Sequence, residues 1–406
     1  MGTRALAAVG GSTGQMVNLI VGFFVGLSSG ATVIIARYYG AKNKKDLNDT
    51  LHTAAALSVA GGILITIAGI LFTPSMLKIM KTPADVMADS ATYLRIYFGG
   101  IIFVFIYNVG SAILRAVGDS TRPLYFLIVC CFINIFLDVL LVVGFNMGVA
   151  GAAIATVVSQ AVSAVLVIWA LLKSTDMYCL HPKEIRFHKF LLVSIITIGL
   201  PAGIQSVMYN LANMIIQTSL NDLGTSTMAA YTAFGKIDAI YWMISGAFSV
   251  SITTFIGQNY GAQKYDRMKK SVKICLFMDF LASILVSALL LFFGEYLLRL
   301  FTTDPEVLKV GMKIIHIIAP SYVLFIFIEI LSSTLRGIGN VLVPMLMTCG
   351  GVCILRIIWI FFVVPHRPGV SNILLCYPIS WGLTAVLFIL YYYTQQKKFF
   401  HAHQQI

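Results

Sequence analysis

Charge is scarce in this sequence. Only 11% of its 406 residues are Asp, Glu, Lys or Arg, against about 25% in an ordinary soluble domain. Acidic residues are the scarcer sign, 16 against 28 basic. A soluble enzyme or nucleic-acid-binding domain needs a charged surface, so both classes are disfavoured. Disorder is excluded because the chain is 59% hydrophobic. The seven cysteines (Cys130, Cys131, Cys179, Cys275, Cys349, Cys353, Cys376) have no metal-like spacing and imply no disulfide scaffold. The scattered histidines form no HExxH site. Gly10-Gly11-Ser12-Thr13-Gly14 lacks the Gly-Lys-Ser/Thr ending of a phosphate-binding loop, which argues against ATP hydrolysis.

What is abundant is apolar sequence, with a mean hydropathy of +0.89. Eleven runs are long enough to cross a bilayer as helices, near 15–38, 51–72, 92–113, 123–144, 149–171, 190–219, 235–257, 272–294, 312–334, 342–364 and 371–393. The fold class is therefore an all-α polytopic membrane protein. A charged connector, 174–189, separates five runs from six. The basic residues alternate by side. Lys42, Lys44, Lys45, Arg115, Arg122, Lys173, Lys183, Arg186, Lys189, the Lys264–Lys273 cluster, Arg336, Lys397 and Lys398 share one side. The positive-inside rule makes that side cytoplasmic, together with the C-terminus. The net charge of +12 is then largely a consequence of topology.

The chain repeats itself. Arg37-Tyr38-Tyr39-Gly40-Ala41-Lys42 resembles Gln258-Asn259-Tyr260-Gly261-Ala262-Gln263, and Leu114-Arg115-Ala116-Val117-Gly118-Asp119 resembles Leu335-Arg336-Gly337-Ile338-Gly339-Asn340. Both pairs lie 221 residues apart, as do Pro123 and Pro344. The offset spans six helices, an even number, so the repeats are parallel, an arrangement found in transporters. The expected lobes are 1–173 with five helices and 190–396 with six, joined by a cytoplasmic linker at 174–189. Met1–Gly10 reads as a loop. Internal symmetry predicts six helices in each lobe, against which the first lobe is one helix short, whether naturally, as a fragment or through a start-site error.

These segments resemble the multidrug and toxic compound extrusion family, particularly its DinF-like branch. Gly2-Thr3-Arg4-Ala5-Leu6-Ala7-Ala8-Val9-Gly10, Arg37–Ala41, Leu114–Pro123, Asn134-Ile135-Phe136-Leu137-Asp138 and Gly199-Leu200-Pro201-Ala202 carry the resemblance, which covers essentially the whole chain. It implies two helical lobes of twelve helices in all, about eleven of them in this chain. It also implies exchange of organic, often cationic or amphipathic, compounds for protons or sodium ions. The family's first helix carries an aspartate that cannot be assigned here.

Asp138 is the leading site candidate, because a carboxylate inside an apolar run is expensive. Asn134, one turn earlier, shares its face. The two would bind a proton or a sodium ion, or else Asp138 is a packing carboxylate. The resemblance implies that Asn134 and Asp138 are the first lobe's cation pair, with Asn108 beside them. Thr156 and Gln160, a turn apart, would either complete that cluster or make ordinary helix contacts. Glu329 maps onto Asn108 by the 221-residue offset. It is either a second cation-coupling acid or the salt partner of Arg356. Gln205, Asn210, Asn213 and Met243 are candidates for the substrate cavity, or for ordinary helix contacts. Pro201 either gates or merely kinks its helix. Asp238 and Asp279 read as solvated charges near span ends.

The reading is a monomeric antiporter that is not an enzyme and resides in the cell membrane, in bacteria the plasma membrane. It needs no cofactor beyond H+ or Na+. Its partners are a small organic substrate and membrane lipids, with no nucleic acid. The alternatives are a flippase of lipid-linked precursors, for which a more basic interior is expected, and an inactive truncated transporter.

Overall fold

The structure is a computed structural model describing residues 12–80 and 82–401, with side chains from 13 to 396. The segment Gly2–Gly10 and the side chains of Arg4, Lys81, Lys397 and Lys398 lie outside the described set. Helices make up the described fold, with no strand among the described residues. In order they are α1 (Ser12–Gly40), α2 (Lys44–Ile79), α3 (Ala84–Gly99), α4 (Ile101–Ala116), α5 (Thr121–Asp138) and α6 (Gly148–Leu172). After the connector come α7 (Lys189–Asn221), α8 (Thr225–Gly261), α9 (Tyr265–Arg299), α10 (Pro305–Ile318), α11 (Tyr322–Gly337), α12 (Leu342–Thr348), α13 (Leu355–Ile358), α14 (Val370–Leu374) and α15 (Cys376–His401). Among the described residues, ten helical segments are long and apolar enough to cross a membrane, and the pair α3 and α4, bent by 47° at Gly100, makes an eleventh. Five of these spans precede the connector and six follow it.

Sequence signals explain the helix ends. Asn43 caps α2 by accepting from the Asp46 amide at 3.2 Å, and Asp304 caps α10 by accepting from the Glu306 amide at 2.9 Å. Pro305 occupies the first turn of α10, where its missing N–H costs nothing. Beyond Asp138 the chain continues as a wider π-helical turn, Val139–Gly144. A similar widening recurs at Trp359–Val363.

The repeat is visible in the backbone itself. Lys42 and Gln263, 221 residues apart, both adopt positive φ, at 54° and 57°. So do the equivalent glycines Gly118 and Gly339, at 98° and 87°. The bonds from Asn43 N to Tyr38 O and from Lys264 N to Asn259 O close equivalent helix ends, as do those from Asp119 N to Leu114 O and from Asn340 N to Leu335 O. Two copies of one backbone junction have been built from different side chains.

The chain divides into two compact units, 1–204 and 205–406, with the division inside α7. In the first unit α4 packs against α1, α2 and α6, while α5 lies along α6. Phe24 and Phe105 meet at its centre with ring centroids 4.4 Å apart. Gly26 and Gly203 let α1 and the first half of α7 touch backbone to backbone; a Cβ at Gly26 would lie 2.6 Å from Gly203 Cα. Small residues permit such close approach where lipid removes the hydrophobic drive between helices. The second unit is centred on α8 and α11, packed with α9, α10 and α15. Exposed apolar rows, such as Leu64, Ile67, Leu71 and Phe72 on α2 and Leu285, Leu289 and Phe292 on α9, suit contact with lipid tails rather than water.

The connector is tied to α2. His181 N donates to His52 Nε2 at 2.9 Å, Asn48 Nδ2 to Glu184 Oε2 at 2.8 Å, and His188 N to Thr53 Oγ1 at 3.2 Å.

Candidate functional site

The polar groups of the first unit gather at the end of α5. Asn134 and Asp138 lie one helical turn apart and are half-buried. Asp138 Oδ1 and Asn134 Nδ2 are each shielded from solvent and without a hydrogen-bond partner. Buried polar atoms are nearly always satisfied, so two orphans on adjacent turns require a cause. Tyr93, on α3, lies within electrostatic reach of Asp138 and beside Thr156 on α6. Thr156 Oγ1 donates to Ala152 O at 2.9 Å, which leaves its oxygen able to accept. The Asn134 amide can present either its N–H or its oxygen, since the two ends exchange by a flip. The set therefore offers carboxylate, amide and hydroxyl oxygens, which are hard ligands compatible with an alkali cation. It equally offers acceptors for a protonated Asp138.

Asn108 takes a different course. Its Nδ2 donates to Val104 O on its own helix at 2.8 Å, and no hydrogen bond joins it to Asn134 or Asp138. Tyr107 is buried, and its hydroxyl donates to Pro123 O at 3.1 Å, tying α4 to the start of α5. Pro201 is buried within α7, which runs on through it.

In the second unit Glu329 is half-buried on α11. No ion pair joins it to Arg356. Arg356 is 2% exposed and lies instead over the Tyr377 ring, at 4.0 Å, and the Trp381 ring, at 5.3 Å. Its Nε donates to Ser380 Oγ at 3.1 Å. Of the two readings of Glu329, the salt link to Arg356 is therefore not formed, and cation–π contact takes the place of a carboxylate. Arg336 lies within the field of Glu329. Gln205 is buried, Asn210 donates to Ser206 O at 2.8 Å, and Asn213 is exposed. Met243 is 74% exposed, next to the exposed Trp242.

Two acids are not the span-end charges expected from the sequence. Asp238 accepts from Tyr322 OH and, at 2.7 Å, from Trp242 Nε1. Asp279 is fully buried midway along α9. The signal missed was periodic: Cys275, Asp279, Ser283 and Ser287 recur every fourth residue and are all buried on one face.

One group, His52, His181 and Glu184, has metal-like proximity among the described residues. Both ring nitrogens of His52 are engaged, Nδ1 with Asn48 O at 2.8 Å and Nε2 with His181 N. The ring is a neutral bridge holding the connector rather than a free ligand.

The MatE family model matches residues 1–140 and 201–362. The chain belongs to that family of multidrug and toxic compound extrusion transporters. Probable multidrug resistance protein YoeA of Bacillus subtilis is 29% identical over 408 residues, covering 98% of this chain and 88% of its own. Probable multidrug resistance protein NorM of Thermotoga maritima is 27% identical over 356 residues, covering 85% and 75%. A solved structure described as the outward-facing conformation of a multidrug resistance MATE family transporter superimposes with a TM-score of 0.89 at 21% identity, covering 98% of this chain and 89% of that one. The all-helical transporter fold expected from the spans and the repeat is thereby borne out. The curated relatives are named as multidrug resistance proteins, and this chain is a multi-pass membrane protein of the same transporter family.

Proposed function

We propose that this transporter exports drugs and other xenobiotics as an antiporter, driven by a proton or sodium ion that binds at Asp138 and Asn134. The observation that carries the reading is the pair of shielded, unpartnered polar atoms on successive turns of a membrane helix. A carboxylate held there without a donor favours either a proton on its own oxygen or a cation between itself and the neighbouring oxygens. Such an ion drives transport only if it binds one transport state more tightly than the other. Tyr93 and Thr156 bound the cluster and would report that change. The exported compound is a small organic, cationic or amphipathic molecule. Gln205, Asn210, Asn213 and Met243 are the side chains assigned to contact it, Asn108 serves the coupling ion in the first unit, Glu329 is a second cation-coupling acid in the second unit, and Pro201 allows α7 to bend. The chain works as a monomer among membrane lipids, in the cell membrane with its C-terminus in the cytoplasm.

The test is efflux of a fluorescent organic cation from proteoliposomes under an imposed proton or sodium gradient. Gradient-dependent flux that disappears in Asp138→Asn is the expected result. Flux from folded protein that ignores both gradients would remove ion coupling.

A further inference from the structure

A second carboxyl site lies in the second unit, on elements that the Asn134–Asp138 cluster does not use. Asp279 is fully buried, and neither of its carboxylate oxygens has a hydrogen-bond partner. It sits where α9 packs against α8 and α11. Tyr241 approaches from α8, Cys275 from its own helix and Glu329 from α11, with Ser245 and Ser283 beside Tyr241. The Ser245 and Ser283 hydroxyls are themselves buried without partners. Tyr241 OH is committed, donating to Tyr322 O at 3.2 Å. Among the described residues, Glu329 is the charged group whose field reaches Asp279. Arg336 lies within the field of Glu329. The other packed element, α10, brings no charge to Asp279.

This arrangement is wrong for a structural ion pair, which would place a base against Asp279 and satisfy its oxygens. An ionised Asp279 would have no counter-charge, no donor of its own and a second acid nearby. The neutral acid removes the charge that nothing around it offsets. Glu329, half-buried where Asp279 is wholly buried, gives a route by which protons reach it.

We propose that Asp279 and Glu329 form a proton-binding carboxyl pair in the second unit, with Asp279 the group that holds the proton. One O–H bond forms on a carboxylate oxygen as hydronium releases the proton and becomes water. The site extends the ion-coupled reading above, but proton binding here can be observed without transport.

Infrared difference spectra between acidic and alkaline pH, recorded on the purified full chain in lipid nanodiscs, test it. A carbonyl stretch of a protonated carboxylic acid should appear on acidification. That band should be lost in Asp279→Asn, move in frequency in Asp279→Glu and shift its pH midpoint in Glu329→Gln. It should persist in Asp138→Asn. The glutamate variant keeps the acid, so a band that moves separates loss of the group from loss of the fold. A band unchanged in both Asp279 variants overturns the site. Loss of the wild-type band when sodium replaces choline at constant acidic pH also overturns it, in favour of a metal cation. Should the band behave as expected while gradients fail to drive flux, coupling falls and the site stands.

Discussion

The two units share a backbone plan but place their polar groups at different positions. In the first, Asn134 and Asp138 form the cluster, with Thr156 beside it; the residues 221 further on are Leu355, Trp359 and Tyr377. In the second, Tyr241, Ser245, Asp279, Ser283 and Glu329 gather; their first-unit equivalents are Ile20, Phe24, Ser58, Gly62 and Asn108. Each unit is apolar, aromatic or merely polar where the other is acidic. The positive-φ junctions at Lys42 and Gln263 and at Gly118 and Gly339 persist because helix ends constrain backbone geometry. No such constraint fixes which helix face carries a carboxylate. The units are therefore copies in fold and not in chemistry, and equivalence by offset locates a helix turn without naming its role.

The strongest way to break this comparison is to exchange the acid of one unit and its aromatic equivalent in the other. Asp138→Asn should lower gradient-driven efflux by about tenfold or more, a loss of roughly 1.4 kcal/mol or more. Trp359→Phe, at the equivalent position, loses one hydrogen bond to Asn372 O, and flux should remain within about twofold, under roughly 0.5 kcal/mol. Initial efflux rates from proteoliposomes at matched protein content decide it. A matching collapse in Trp359→Phe would mean that the position, not the carboxylate, matters.

Packing gives a second contrast. Gly26 is pressed against the Gly203 backbone, whereas its equivalent Ala247 is exposed. Gly26→Leu should destabilise the protein by at least about 1–3 kcal/mol, because backbone cannot yield as a side chain does. Ala247→Leu should stay within about 0.5 kcal/mol. Unfolding midpoints in detergent measure both, and equal shifts would show that the glycine contact is not a requirement.

Much of this was legible in the residues. Apolar runs give spans because hydrocarbon forces backbone groups to bond within a helix, and exact offsets between short motifs gave the repeat. The break at Gly100 was not legible, because a run of apolar residues reads the same straight or bent. Asn134 and Asp138 stood out as a polar pair in an apolar run. Asp279 was harder to see, since distance from the end of an apolar run is a poor guide to depth: α9 begins at Tyr265, well before the run does. Arg356 shows why the sequence left its partner open between two readings. Helix periodicity places a base near an acid but cannot distinguish a carboxylate from two aromatic rings as its neighbour.

The connector supplies a smaller contrast. His52 bridges Asn48 and His181, while its equivalent Lys273 is exposed. His52→Ala leaves the His181 amide without its acceptor and should cost about 1–3 kcal/mol, read as faster amide exchange at His181 and quicker proteolysis of the connector. Lys273→Ala should change stability by less than about 0.5 kcal/mol. Unchanged exchange in His52→Ala would remove the bridge as the tie.

The smallest effect is the most discriminating for the second unit. Glu329→Gln and Arg356→Met would be strongly coupled if the two charges neutralised one another, since breaking a buried pair strands its partner. Arg356 instead spends its charge on Tyr377, Trp381 and Ser380, and Glu329 sits in the field shared by Asp279 and Arg336. The double variant should therefore lose stability by the sum of the two single losses, with a coupling below about 0.5 kcal/mol. Glu329→Gln with Arg336→Met should couple more strongly, because that base does lie in its field. A thermodynamic cycle from unfolding midpoints in detergent measures both couplings. A large Glu329–Arg356 term would restore the salt link, take Glu329 from Asp279, and reduce the second unit's acids to packing.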